Sequence, residues 1–217
     1  MTADPVGRLI ELGRDGEAAH LAVRETGGTV GSEKTHMLGP VEQLEVVMPA
    51  FVRLIRDDDE FLDLVTPCEG WVVRDLLGHI NGGARMFAAA LEEREVREKP
   101  LGDHPSTAVA EALTEFDTAV RSPGALERTV NSPFGAMPGE AFARLAALDL
   151  LVHTWDVSRA SNQDPGIPDE VVEAVDGFAR QAITDDLRTP GVFGPEVAPA
   201  AKSSRLDALA AFTGRRP

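Results

Sequence analysis

Composition and charge restrict what this chain of 217 residues can be. The formal net charge is −15 and the sequence pI is about 4.7, so the phosphate backbone of a nucleic acid would be repelled. No apolar run approaches the roughly 18 residues of a membrane helix, and the N-terminus lacks the basic-then-apolar order of a signal peptide. The single cysteine excludes an internal disulfide and fits a reducing cytoplasm, where we expect the protein to act.

The first 39 residues are predicted to be an extension outside the folded domain. The stretch GGTVGSEK, residues 27–34, is typical of a flexible connector. Met37 directly precedes the first strong helical pattern and is a candidate alternative translation start. His20 and His36 lie in this weakly patterned region, and we expect neither of them to be a ligand.

Apolar residues recur at helical spacing through most of the remaining chain, and aromatic residues are few, which predicts a mainly α-helical protein. The predicted helices cover residues 40–57, 73–93, 106–121 and 139–161, and a further helix begins near Pro168. The first helix should end early, because the acidic run at 57–60 opposes the helix dipole at its C-terminus. Ser106 is the expected N-cap of the third helix. A short extended piece is expected at 128–131.

The C-terminal part is predicted to be a loop followed by a short helix. The stretch TPGVFGPEVAP, residues 189–199, contains too much Pro and Gly to be helical. Ser204 and Asp207 resemble a capping box at the start of a helix, and Gly214 follows its end. The predicted organisation is an extension over 1–39, a helical bundle over 40–185, and a loop and short helix over 186–217 packed on the bundle.

The most informative stretch is LAALDLLVHTWDVSR, residues 145–159. Asp149 and His153 are four residues apart and Asp156 is three further on, so all three project from one side of a helix. The other faces are apolar, which predicts a helix inside the bundle, where a carboxylate and an imidazole are costly unless they are paired or bind a metal. An Asp and a His one turn apart can share an ion with a third ligand from another helix.

His79 is the candidate third ligand, because it borders the apolar stripe of the predicted helix 73–93. Two imidazoles and a carboxylate leave one position open on zinc, which is typical of a catalytic site, although nickel, iron or manganese would accept the same set. Asp156 either competes as a ligand, orients an imidazole or pairs with an arginine. For each residue taken alone, a hydrogen-bonded core side chain is the simpler interpretation.

Two segments together resemble the paired histidine motifs of a known family. TPC followed by GWVVRDLLGHI, which contains His79, and DLLVHTWDVSRA, which begins at Asp149, are similar to the signatures of the DinB-like, mycothiol-dependent maleylpyruvate isomerase superfamily. The tail, FGPEVAP and then LDALAAFTGRRP, resembles the closing segment of actinobacterial metal-binding members of that group. The likeness extends over about residues 41–217.

The resemblance implies a DinB-like four-helix bundle with a short C-terminal appendage. It also implies a divalent metal, expected to be zinc, held by His79, Asp149 and His153, and mycothiol as the thiol cofactor. Besides its short C-terminal region, this sequence departs from the family at two residues. Val72 cannot cap the helix that begins there, a position often held by Thr, and Asp149 is shorter than the usual Glu, so a metal would lie closer to the helix 139–161.

These observations predict a divalent-metal-dependent enzyme in which a low-molecular-weight thiol of the mycothiol type attacks a small electrophile, as an isomerase or an S-transferase. The alternative is a non-catalytic metal-binding helical bundle, a sensor or small-molecule binder, which the short C-terminal region favours. A homodimer is compatible with either function.

Three further side chains, one cysteine and two arginines, are candidates for the site. Arg85 and Arg159 could hold an anionic cofactor or substrate, although an ion pair is the simpler interpretation of each. Cys68 could be a nucleophile, although a lone cysteine is more often a small buried apolar residue. Trp71, like Trp155, is expected to be a core anchor.

Overall fold

The structure, a computed structural model, describes residues 38–132, 135–189 and 191–217. The predictions for residues 1–37, including Met37, therefore lie outside the described residues. The elements in chain order are α1 (Pro40–Leu54), α2 (Asp59–Leu62), α3 (Val73–Leu91), α4 (Pro105–Val120), β1 (Thr129–Ser132), β2 (Gly135–Pro138), α5 (Gly139–Ser161), α6 (Asp169–Ala182), a 3₁₀ turn (Asp185–Leu187) and α7 (Arg205–Phe212).

Four long helices form a bundle, which confirms the predicted fold class. The most extensive contacts join α3 to α4 and α1 to α5, while α3 also packs on α5 and α1 on α4. Their apolar faces meet in one core, whose largest fully buried side chains include Phe51, Leu77, Phe142, Leu148 and Leu151. The predicted domain boundaries at residues 40 and 185 stay predictions.

The central helix α5 is buried on nearly every face, as its apolar sequence predicts. Its start requires glycine, because a Cβ at Gly139 would lie 1.9 Å from the carbonyl oxygen of Ala125. It ends where Asn162 adopts the left-handed conformation with φ 52°. The helix carries Asp149, His153 and Asp156 through the centre of the bundle, one helical turn apart.

A short antiparallel hairpin precedes α5. Thr129 pairs with Pro138 and Ser132 with Gly135, so the extended piece expected at 128–131 is the first strand of this hairpin. Val130 and Met137 are directly opposite each other and both are buried, which attaches the hairpin to the core.

The C-terminal segment folds back onto the bundle. Ser204 Oγ accepts a hydrogen bond from the Asp207 N–H at 3.0 Å, and the Asp207 carboxylate accepts one from the Ser204 N–H at 3.4 Å, which confirms the predicted capping box. Helix α7 then packs on α6 and α5. Gly214, with φ 99°, ends the helix against Gly194, whose Cα would lie 2.5 Å from a Cβ at this position.

One local prediction is changed by a tertiary contact, and another is confirmed. Ser106 is not the N-cap of α4: that position belongs to His104, and the Ser106 hydroxyl donates instead to Asp57 at 2.7 Å. Helix α1 does end early, at Leu54, and the acidic run begins a new short helix. There Asp58 is the N-cap and accepts from the Phe61 N–H at 3.0 Å, since carboxylates favour helix N-termini.

Candidate metal centre

The three predicted ligands come together between α3 and α5. His79 Nε2 lies 3.2 Å from each carboxylate oxygen of Asp149, and His153 Nε2 lies 3.5 Å from Asp149 Oδ1. One ligand atom from each of the three residues lies within 4.8 Å of the others. The two imidazoles therefore converge on a single carboxylate, although 70 residues separate His79 from Asp149.

Accessibility differs across the three side chains. His153 exposes 7% of its side chain and His79 11%, whereas Asp149 exposes 32%. The imidazoles thus form the floor of the site and the carboxylate faces its open side. A small molecule that approaches from solvent would reach the Asp149 side of the cluster first.

A second set of contacts orients His153. Its Nδ1 lies 2.9 Å from Asp156 Oδ2, and because a carboxylate can only accept, Nδ1 carries the proton and Nε2 keeps its lone pair. Asp156 is fully buried and also accepts from Arg215, at 3.0 Å from Nη2 and 3.4 Å from Nε. Asp156 therefore orients an imidazole and pairs with an arginine, the two roles expected for it as alternatives to ligation.

Trp71 forms one wall of the site. Its ring is stacked on that of His153, with centroids 5.8 Å apart and planes at 11°, and it is tilted against His79 at 5.3 Å. The loop 66–71 holds it there, since Thr66 Oγ1 donates to the Trp71 carbonyl at 2.9 Å and accepts from the Cys68 N–H at 3.2 Å. Trp71 packs partly on the core, as expected, but its contact with both imidazoles was not foreseen.

The charges of the cluster are strongly coupled. Burial opposes the charged form of His79, but the adjacent Asp149 carboxylate outweighs this effect and raises the pKa of His79. Burial lowers the pKa of His153, and the charge of Asp149 does not fully offset it. Burial alone would raise the pKa of Asp149, but the two imidazoles lower it to about 2. The carboxylate is thus ionised at neutral pH.

The donor set fits a divalent cation. A tetrahedral cation with bonds of about 2.1 Å places its ligand atoms about 3.4 Å apart, close to the 3.2 and 3.5 Å that separate Asp149 from the two Nε2 atoms. Asp156 already holds the remaining nitrogen of His153, as is usual for a ligating histidine. Nδ1 of His79 is buried without a hydrogen-bond partner among the described residues, so the imidazole is not a fully satisfied core group.

Residues 41–158 match the sequence profile of the mycothiol maleylpyruvate isomerase N-terminal domain. The chain belongs to this family. Uncharacterized proteins from two strains of Mycobacterium tuberculosis are each 32% identical over 154 residues, which cover 69% of this chain and 82% of the relative. A crystal structure of a mutant mycothiol-dependent maleylpyruvate isomerase aligns with 65% of this chain and 69% of that one, at 15% identity and a TM-score of 0.49. The resemblance predicted from the two histidine segments is confirmed.

Within the matched family domain lie Trp71, His79, Asp149, His153 and Asp156. Arg215 lies beyond it, in the C-terminal segment, although its guanidinium contacts the same cluster. Sequence reasoning did not select this arginine. The available signal was weak: Asp156 is buried in an apolar helix and requires a cation, but nothing in its spacing shows which of the chain's arginines supplies one.

The two arginines predicted to hold an anion are each paired with a carboxylate. Arg85 donates from Nη1 to Glu115 at 2.5 Å and from Nε to Asn81 at 3.4 Å. Arg159 pairs with Asp207 and lies over the Trp155 ring, with its Cζ 5.3 Å from the centroid. Anion binding by either residue stays a prediction of the sequence.

Cys68 is half-buried beside the cluster. Burial, with the carboxylates of Asp156 and Asp149, outweighs the opposing charge of Arg215 and raises the pKa of the thiol to about 11. Because the thiolate is the nucleophilic form, the surroundings of Cys68 do not activate it.

In the described part of the chain, no helix is long and apolar enough to cross a membrane.

Proposed function

We propose that this protein is a divalent-metal-dependent enzyme in which a low-molecular-weight thiol of the mycothiol type reacts with a small electrophile. The observation that carries the proposal is the convergence of His79, Asp149 and His153, with ligand atoms within 4.8 Å of one another, at a place where Asp149 remains accessible. Membership of the mycothiol maleylpyruvate isomerase N-terminal domain family supports the thiol as the cofactor.

Each residue at this site has its own role in the proposed reaction. His79, Asp149 and His153 would hold the cation, and a cation bound there would lower the pKa of a thiol that reaches it, giving thiolate at neutral pH. Asp156 keeps the Nε2 lone pair of His153 directed at the cluster. Trp71 shields the imidazoles from water on one side. The side of Asp149 is left for the thiol and its partner.

Two reaction outcomes are compatible with this arrangement. If the thiolate adds to an alkene conjugated to a carbonyl, the new S–C bond can break again after rotation about the former double bond, which isomerises the substrate and returns the thiol. If it attacks a saturated carbon, the S–C bond remains and the leaving group departs with the bonding electrons. The first outcome is an isomerase reaction and the second an S-transferase reaction.

The deciding experiment measures thiol chemistry in a metal-loaded protein. Zn²⁺- and Mn²⁺-loaded wild type would be incubated with mycothiol and a panel of electrophiles, including cis-alkenes conjugated to carbonyls, epoxides and alkyl halides. We expect the His153→Ala variant to lose at least about 100-fold in kcat/KM, because a tridentate site loses one of its ligands.

His104→Ala is the matched control, since His104 exposes 79% of its side chain and is not one of the three candidate ligands. Its rate should equal that of the wild type. Equal rates in His153→Ala and wild type would overturn metal-thiolate catalysis. Stoichiometric metal binding with no turnover of any electrophile would favour the non-catalytic metal-binding bundle instead.

A further inference from the structure

Arg215 is the one residue from the C-terminal segment that reaches the candidate metal centre among the described contacts. It stands outside residues 41–158, the part of the chain that matches the family domain. Its side chain exposes only 11%, and two of its guanidinium nitrogens face the two oxygens of Asp156, at 3.0 and 3.4 Å. This fork fixes the plane of the carboxylate as well as its charge.

The buried carboxylate depends on this arginine. Asp156 exposes none of its side chain, and an ionised carboxylate without a cation is strongly destabilising in such a place. Its other partner is His153, whose Nδ1–H donates a hydrogen bond to Asp156 at 2.9 Å. Arg215 Nη2 and His153 Nδ1 therefore bond to the same oxygen of this carboxylate, Oδ2, and a rotation of Asp156 would move the imidazole.

The backbone that presents Arg215 is itself held at two points. At the end of α7, the Arg215 N–H donates to the Ala210 carbonyl at 2.9 Å and the Gly214 N–H to the Ala211 carbonyl at 3.0 Å. At the start of α7, the Asp207 carboxylate accepts from Nε1 of Trp155 at 2.8 Å. Because Trp155 is the neighbour of Asp156 on α5, helix α7 is attached to the same turn of α5 at both of its ends.

We propose that Arg215 is a positioning residue for the metal centre: through Asp156 it sets the orientation of His153, so the C-terminal segment is part of the metal site. The inference rests on the proposed function in requiring that the cluster binds a metal. It adds that a residue outside the family domain determines how well that metal is held. Removing a partner behind a ligating histidine typically lowers metal affinity by about 10- to 100-fold.

The test compares adjacent arginines. Zn²⁺ affinity of the full chain would be measured by competition with a chromophoric chelator for wild type, Arg215→Met and Arg216→Met. Arg216 is exposed, so its variant should keep wild-type affinity within about twofold, whereas Arg215→Met should lose about 10- to 100-fold. Arg215→Lys keeps the charge but not the fork, and should fall between the two. Circular dichroism of each metal-free variant checks folding.

A spectroscopic readout separates positioning from a merely structural role. The visible bands of bound Co²⁺ report its ligand geometry, and they should change in Arg215→Met and Arg215→Lys but not in Arg216→Met. In an Asp156→Asn background, adding Arg215→Met should change Zn²⁺ affinity by less than about twofold, because the effect passes through the carboxylate.

The outcomes distinguish this inference from the proposed function. If wild type binds Zn²⁺ and folded Arg215→Lys binds it with equal affinity and an unchanged Co²⁺ spectrum, the positioning role is wrong and the proposed function stands. If wild type binds neither Zn²⁺ nor Co²⁺, the proposed function fails and this inference fails with it.

Discussion

At the scale of single residues, the cluster is defined by one shared carboxylate. Asp149 lies between two imidazoles, and its pKa of about 2 keeps it ionised across the range in which proteins are stable. Without a cation, two buried histidines can hydrogen-bond to the carboxylate between them only if the ring nitrogens that face it carry protons. Nδ1 of His79 has no hydrogen-bond partner within the part of the chain that the structure describes, so the hydrogen bonding of the cluster is incomplete there. The same three side chains place one ligand atom each within 4.8 Å of the others, as a shared cation would require.

Cys68 offers a pH-dependent test at this scale. Its pKa is raised from the ordinary value of 9.0 to about 11, so the thiolate fraction in the folded protein increases about tenfold per pH unit up to pH 10. We expect the alkylation rate of the metal-free protein with iodoacetamide to follow that increase, without a plateau near pH 9. The protein unfolded in urea is the control and should level off near pH 9. Levelling at pH 9 in the folded protein would contradict the shift.

At the scale of secondary-structure elements, α5 is the central helix of the bundle. It contributes two of the three candidate ligands, the carboxylate behind them and much of the apolar core. Its first residue is packed against the chain that precedes the hairpin, with the Gly139 N–H donating to the Arg128 carbonyl at 2.8 Å. The close approach at this point sets where the helix enters the bundle.

Gly139→Ala tests that entry point. A Cβ there would lie 1.9 Å from the Ala125 carbonyl oxygen, so backbone must move and we expect a loss of about 1–3 kcal/mol in the free energy of unfolding. Gly177→Ala, in α6, is the matched control, because nothing lies within 4 Å of its Cβ. It should stabilise by about 0.4–1 kcal/mol through reduced freedom of the unfolded chain. Urea unfolding measures both, and equal effects would show that the contact at Gly139 does not limit the fold.

At the scale of the whole molecule, the C-terminal segment is an integrated part of the fold. The Asp207 carboxylate caps α7 through the Ser204 N–H and also accepts from the buried Trp155 indole and from Arg159. One side chain thus joins the last helix to the central one. The bundle and the C-terminal helix should unfold together.

Asp207→Ala should therefore destabilise the whole protein. Loss of the cap and of the partner of a buried indole N–H predicts about 2–3 kcal/mol, seen in one cooperative transition by urea unfolding. Asp169→Ala is the control, because Asp169 exposes 77% of its side chain and lies 3.6 Å from Arg205, a surface pair of little energetic value. A separate early transition in Asp207→Ala would show instead that α7 unfolds independently.

Much of this architecture could be predicted because its signals are local. The helical spacing of apolar residues located the bundle helices, and α5 spans Gly139–Ser161 as predicted. The capping box of α7 needs only Ser204 and Asp207. Ser106 shows the limit of local signals: its hydroxyl is suited to capping, but the Asp57 carboxylate, from a different part of the chain, accepts from both the Ser106 N–H and its hydroxyl at 2.7 Å.

The amino-acid sequence by itself determined the helical fold, because the periodicity of apolar residues acts over one or two turns. Its two histidine segments indicated the family and the three side chains that could share one cation. Only the tertiary structure decided that Trp71 stacks on His153 and that Arg215, among the arginines of the described residues, pairs with Asp156. A buried carboxylate requires a cation, but which one reaches it depends on how distant segments pack. That packing depends on contacts spread over the whole chain, and no local pattern encodes them.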